Sequence, residues 1–299
     1  MKHPTPNYDY SRAGVLAVTL KCHRGVWLCR ITQDTYTLLP IGRYVREGLL
    51  RIPGYYPQIK IGAYQIMPDH VHVMVHVVED LPKGITVRRV FRGFKIGVKR
   101  SCEEGLTGFH GAVFEDGLYD RPVLDEELLE SEIDYIHDNV RRYRLKKANA
   151  GWFRTLQLIS KEYLSRFGRL WGLGNRALLD APHLVYLQFS RSLEEGRWPE
   201  IEAGLKDGIR DGAVFVSPFI SPFERRALET VIGLGGRVIR ITTEYFDERY
   251  KPHGGLIDAF CEGRVLEIGV ATEFGRAGKL DRATCMRLQE VARGVAFKR

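Results

Sequence analysis

Cysteine is scarce in this chain and poorly spaced for structural work. There are five, at positions 22, 29, 102, 261 and 285, and no two form a C-x-x-C. That excludes a zinc ribbon and a disulfide framework, and it fits a reducing cytoplasm. Cys22 beside His23 reads as strand packing. No apolar run is long enough to span a bilayer, and Met1-Lys2-His3-Pro4 opens no signal-peptide core. No G-x-G-x-x-G follows the first strand of the second half, so a standard dinucleotide site is not supported. Internal repeats and low-complexity tracts are absent. Acid is missing from residues 81–100, which carry Lys83, Arg88, Arg89, Arg92, Lys95, Lys99 and Arg100. A solvated helix face usually mixes its signs; a face of one sign asks for a polyanion, and a phosphate backbone is the obvious one.

What is present supports two domains. The chain has 299 residues, 44% of them hydrophobic, enough for two cores, and a net charge of +8. Residues 14–32 read as one or two strands, 41–51 as a helix, 59–67 and 70–78 as an antiparallel pair joined at Pro68-Asp69. Thr86 opens a helix to about Cys102, with Val87, Val90, Phe91, Phe94 and Val98 as its buried stripe. Asp125 caps the next helix, which reaches about Arg142. Its apolar stripe is Leu129, Ile133, Ile136 and Val140. A second basic cluster, Arg141, Arg142, Arg144, Lys146 and Lys147, closes this half.

Beyond residue 150 the pattern changes. Residues 151–204 read as a helical connector, broken by Gly172, Gly174 and Pro182. Strands at 213–220, 237–242 and 264–270 then alternate with helices, which implies a parallel sheet. Ser221-Pro222-Phe223-Glu224 is a helix start with a capping box. The expected boundaries are 1–150 for the first domain and 151–299 for the connector and a small Rossmann-like α/β domain.

The run Met67-Pro68-Asp69-His70-Val71-His72-Val73-Met74-Val75 carries the chemistry. In a strand, His70 and His72 leave the same face roughly 7 Å apart along the backbone. Their imidazoles can lean together onto one cation, while Val71, Val73, Val75 and Val77 bury the other face. Half-exposed polar packing explains the spacing equally well. His76 shares the parity but lies further along and is read as a non-ligand.

Tyr64-Gln65-Ile66-Met67-Pro68-Asp69-His70-Val71-His72 resembles the Y-x-I/V-M-P-N/D-H-V-H signature of HUH-type single-tyrosine transposases (the IS200-like transposase domain), most like the REP-associated tyrosine transposases. Phe94-Lys95, Tyr119-Asp120-Arg121 and Asp134-Tyr135-Ile136-His137-Asp138-Asn139 are similar to three further motifs of that family, in the same order. The resemblance covers about residues 10–147. It implies an α+β fold, with a ferredoxin-like N-terminal HUH domain built on an antiparallel sheet. It also implies His70, His72 and Asn139 as ligands of Mg²⁺ or Mn²⁺, and Tyr135 as the nucleophile. The substrate implied is single-stranded or hairpin DNA, cut through a 5′-phosphotyrosyl link. Arg88, Arg89, Arg92, Lys95, Lys99, Arg141, Arg142 and Arg144 are the expected DNA contacts. The motifs suit a monomer or a homodimer, acting in the cytoplasm with no membrane partner. The family has Pro after the Asn; here Val140 stands there, so the helix can continue. Two rivals remain open: a domesticated binder of structured single strands, and a hydrolytic metal phosphodiesterase.

Overall fold

A computed structural model describes residues 8–154, 156–157, 161–190, 193–243, 246, 250–252, 254–270 and 281–298. The chain is mixed α+β and divides into two compact units, residues 1–144 and 145–299. The boundary falls inside a helix rather than after it.

The first unit runs β1 (Gly14–Lys21), β2 (Cys29–Ile31), β3 (Tyr36–Leu38), α1 (Pro40–Tyr55), β4 (Ile59–Ile66), β5 (His70–Val77), α2 (Val87–Gly105), β6 (Tyr119–Val123) and α3 (Glu126–Ala148). Four strands form an antiparallel sheet in the order β4-β5-β1-β6, and β2 and β3 pair separately. Strand alternation divides this sheet into two faces. Leu16, Val18 and Leu20 of β1 and Val71, Val73, Val75 and Val77 of β5 share one core with Val45 and Leu49 of α1 and Phe91 and Phe94 of α2. The opposite face carries Met74, Val15 and Ala17, which pack with Ile133 and Ile136 of α3. Helices α1 and α2 therefore cover the valine face, and α3 covers the histidine face.

Local sequence explains the helix limits. Thr86 caps α2 by accepting from the Arg89 amide at 3.3 Å, and Asp125 accepts from the Leu128 amide at 2.7 Å at the start of α3. Val140 keeps its N–H, which a proline would lack, and α3 continues unbroken to Ala148.

The second unit comprises β7 (Leu156–Gln157), α4 (Glu162–Ser165), β8 (Leu170–Gly174), β9 (Leu184–Tyr186), α5 (Trp198–Arg210), β10 (Val214–Ser217), α6 (Pro222–Gly233), β11 (Arg237–Thr242), α7 (Leu256–Cys261), β12 (Val265–Val270) and α8 (Arg282–Phe297). The sheet order is β7-β8-β12-β11-β10-β9. Strands β9 to β12 are parallel; β8 pairs antiparallel with β12, and β7 pairs antiparallel with β8. The helical connector expected over 151–204 is corrected here, because this stretch supplies β7, β8 and β9. The strand signal of β8 lies in alternation: Leu170 enters the core beneath α8, and Leu173 enters the core beneath α5 and α6. The glycines that read as helix breakers belong to that strand. At Gly174 the backbone turns at φ +102° with the carbonyl of Val265 where a side chain would stand. The capping box at Ser221 is formed, with the Glu224 amide donating to Ser221 Oγ at 3.2 Å and the Ser221 amide to Glu224 Oε2 at 3.1 Å. Among the described residues no helix is long and apolar enough to cross a membrane.

Candidate metal and tyrosine site

The site starts from the pairing register of β1 and β5. Thr19 stands opposite His72 and Lys21 opposite His70. Both imidazoles leave the face covered by α3, and their Nε2 atoms lie 3.1 Å apart. Neighbouring nitrogens around one ion bonded at ~2.1 Å stand about 3 Å apart, so the pair fits a shared cation.

Each outer ring nitrogen is held. His70 Nδ1 lies 2.7 Å from Asp69 Oδ1. A carboxylate accepts, so Nδ1 carries the proton and the neutral ring keeps its lone pair on Nε2. His72 Nδ1 lies 2.9 Å from Thr19 Oγ1. A hydroxyl can accept or donate. When it accepts, His72 also offers an Nε2 lone pair; when it donates, His72 Nε2–H can donate to His70 instead. One rotor therefore serves the metal-bound and the metal-free arrangements.

Helix α3 brings the remaining groups. Its buried stripe is apolar at Ile136, against Met74, and becomes polar at Asn139 and Arg142. The Tyr135 ring meets the His72 ring edge-to-face, with centroids 5.5 Å apart. Asn139, one turn on, is wholly buried and donates from Nδ2 to the Tyr135 carbonyl at 2.7 Å. Its Oδ1 has no hydrogen-bond partner among the described residues. A buried acceptor left unpaired is costly, and a cation would satisfy it. Among the described residues no three His, Cys, Asp or Glu side chains gather as an ion site. The candidate donor set is two imidazoles and an amide oxygen.

Arg142 is buried, with its guanidinium 5.5 Å from the centre of the Tyr135 ring. Arg142, expected as a DNA contact, is thus placed inside the unit beside Tyr135. Burial pushes the Tyr135 phenol above its ordinary value, and the Arg142 charge pulls the other way. Of the remaining α3 cations, Arg141 pairs with Asp138 at 2.5 Å, and Arg144 Nε donates to the Thr32 carbonyl at 2.8 Å. His137 is exposed. His76 points at β4, where a Cβ on Gly62 would come within 2.8 Å of its Nε2.

The basic residues of α2 lie elsewhere. They line a groove with residues 112–118 on the valine side of the sheet, away from the histidines. Arg89, Arg92 and Lys99 are exposed there. Arg88 is spent on the buried Asp120, and Lys95 Nζ donates to the Glu115 and Gly117 carbonyls, the first at 2.6 Å. The expected DNA-contacting set is thus split between two faces, and part of it holds the fold together.

Three contacts were not found from sequence. Asp69 was visible beside His70, and Arg142 was visible at helical spacing from Asn139 and Tyr135. Thr19 had no local signal, because only strand register sets it against His72.

No protein-family model matches the chain. An uncharacterized protein of Haemophilus influenzae (strain ATCC 51907 / DSM 11121 / KW20 / Rd) is 26% identical over 152 residues, covering 44% of this chain and 83% of its own length. Among solved structures, a REP-associated tyrosine transposase bound to a REP hairpin is 17% identical, with 47% of this chain and 74% of that one covered at a TM-score of 0.35. DNA processing protein A (DprA) of Streptococcus pneumoniae is 15% identical, with 57% of this chain and 60% of that one covered, also at a TM-score of 0.35. Both scores are low, and the chemistry of the site rests on its geometry.

Proposed function

We propose that the chain is a metal-dependent endonuclease and strand transferase acting on single-stranded or hairpin DNA, with unit 1 a ferredoxin-like HUH domain and unit 2 a Rossmann-like partner domain. The observation that carries this is the opposed Nε2 pair, 3.1 Å apart, with the Tyr135 ring packed against His72. His70, His72 and Asn139 would hold the ion, Mn²⁺ suiting two imidazoles better than Mg²⁺. A divalent ion there offsets negative charge on a phosphodiester.

The chain's own residues supply the rest. Tyr135 Oη forms the new bond to phosphorus, and the phenolic proton passes to solvent. The bond from phosphorus to the 3′ oxygen breaks, and that oxygen leaves as a hydroxyl after taking a proton. The Arg142 charge over the ring favours phenolate as the proton departs. The products are a 5′-phosphotyrosyl link and a free 3′-OH, which can reverse the step on another strand. Arg89, Arg92 and Lys99 of the α2 groove would hold a second stretch of the same DNA on the other side of the sheet.

Incubation with 3′-labelled hairpin oligonucleotides and Mn²⁺ tests this. A denaturant-stable protein–DNA adduct, lost in Tyr135→Phe, is the expected result. No adduct on a broad substrate panel, or an undiminished one in Tyr135→Phe, overturns it. Burial of the phenol favours one second reading, a binder that does not cut. That reading requires salt-dependent binding with no dependence on metal.

A further inference from the structure

Two short segments close on the turn that delivers His70, and the chemistry above uses neither. The first is the loop 22–28 after β1. Its ends are tied to the turn: the Cys22 amide donates to the Asp69 carbonyl and the Leu28 amide to the Pro68 carbonyl, each at 2.9 Å. The His23 amide donates to Val113 O and the Val26 amide to His23 O, both at 3.0 Å, and Gly25 takes φ +87° at the tip. A loop held this way presents its tip in one place. On it His23, Arg24 and Trp27 are exposed, the indole by 56%.

The second segment is the β2–β3 hairpin. Tyr36 Oη donates to the Ile66 carbonyl at 2.9 Å, and Cys29 Sγ to the same carbonyl at 3.4 Å. Tyr36 as a residue is still 38% exposed, and Arg30 is exposed on the neighbouring strand. Both aromatic carriers are therefore anchored on Ile66–Asp69, the residues just before His70.

A single exposed indole carries little meaning on its own. Here the neighbours decide. The other exposed side chains of the Trp27 loop are His23 and Arg24, Arg30 is exposed on β2, and the chain neighbours Val26 and Leu28 turn into the core. Of the nearby acids, Asp34 sits at the hairpin tip, Asp69 is engaged by His70, and Glu115, whose amide donates to the Lys21 carbonyl at 2.9 Å, lies at the loop's base. Fixed aromatic rings interleaved with cations are what unpaired nucleotides bind: rings take the bases and cations the phosphates.

We propose that Trp27 and Tyr36 are a stacking platform for unpaired nucleotides flanking the cleaved phosphate, with Arg24 and Arg30 holding the adjoining backbone. This rests on the single-stranded DNA reading above and adds where the strand is gripped.

The test uses the full chain carrying Tyr135→Phe, so that binding is read without turnover. Oligonucleotides carrying 2-aminopurine at successive positions report stacking, and anisotropy reports affinity. Trp27→Ala is expected to weaken binding about tenfold and to abolish quenching at one or two adjacent positions. Trp27→Phe keeps a ring and should stay within about threefold, which separates lost stacking from misfolding. Arg24→Ala and Arg30→Ala should each lower the salt slope by about 0.7. If the Tyr135→Phe parent binds DNA and the unsubstituted chain forms the Tyr135 adduct, yet adding Trp27→Ala changes neither affinity nor quenching, the platform fails and the nuclease reading survives. If the parent binds no DNA at all, both fail.

Discussion

The two faces of β5 belong to one strand and obey different rules. Val71, Val73, Val75 and Val77 are all buried in the core under α1 and α2. His70 and His72, which alternate with the first two valines, stand half-buried among Thr19, Asp69 and Tyr135. Burying each valine is worth roughly 1.5–3 kcal/mol, which fixes the register, and the register then fixes the imidazoles. Stability and chemistry are thus separable by parity. The valine side should break first. Phe91→Ala, deep in that core, is expected to cost about 3–5 kcal/mol in urea unfolding. His72→Ala should change stability by less than about 1 kcal/mol while removing metal binding. Equal losses from the two would erase the distinction between the faces.

Two buried thiols lie nearby, Cys22 in the valine-side core and Cys29 against the Ile66 carbonyl. Burial, helped by neighbouring carboxylates, pushes Cys22 from 9.0 up to about 12, and Cys29 likewise. A raised folded pKa gives stability that is complete below the unfolded value and is lost as pH climbs through the folded one. The window therefore runs from about pH 9 to pH 12. Between pH 9 and 11 each thiol can withdraw about 2 kcal/mol, read as a falling urea midpoint. Cys22→Ala should flatten that slope. An unchanged midpoint through pH 11 would show that these thiols ionise in the folded state.

The same parity explains what the sequence revealed. The β4–β5 pairing, the stripes of α2 and α3 and the capping box at Ser221 rest on local periodicity and capping chemistry. His70 and His72 could be paired from the sequence because they share a strand face; Tyr135 and Asn139 lie a helical turn apart, but their roles were expected only from the family resemblance. Thr19 could not, because its role depends on which strand lies beside β5. Nor could the inward turn of Arg142, since a basic run reads as solvated until packing selects one member. The segment 151–204 misled because Gly172 and Gly174 look like breakers, while partners distant in sequence make them strand. The pairing of buried Glu267 with Arg240 at 2.6 Å was hidden in the same way.

The histidine face should respond through affinity. Thr19→Val keeps the shape and removes the hydroxyl that orients His72. Mn²⁺ affinity by calorimetry should fall about 10- to 100-fold, with the urea midpoint nearly unmoved. Thr19→Ser should restore most of it. If Thr19→Val binds Mn²⁺ as well as the parent, the hydroxyl does not orient the ring.

Asn139 gives the sharpest sign. An ordinary buried amide with its bonds made is worth keeping, and removing it costs about 1–3 kcal/mol. Here one bond is made, to the Tyr135 carbonyl, and one acceptor is left bare. Asn139→Leu deletes both, about 1 kcal/mol lost against about as much regained, so metal-free stability should stay within about 1 kcal/mol of the parent. Mn²⁺ should then raise the melting temperature of the parent and leave Asn139→Leu nearly where it was. Asn139→Asp should behave in the opposite sense. It buries an uncompensated carboxylate, so the metal-free protein should melt lower, and Mn²⁺ should recover more than it does in the parent. A site that served only packing would show the first loss without the recovery, because nothing in a packed core exchanges an amide for a charge and is repaired by a cation.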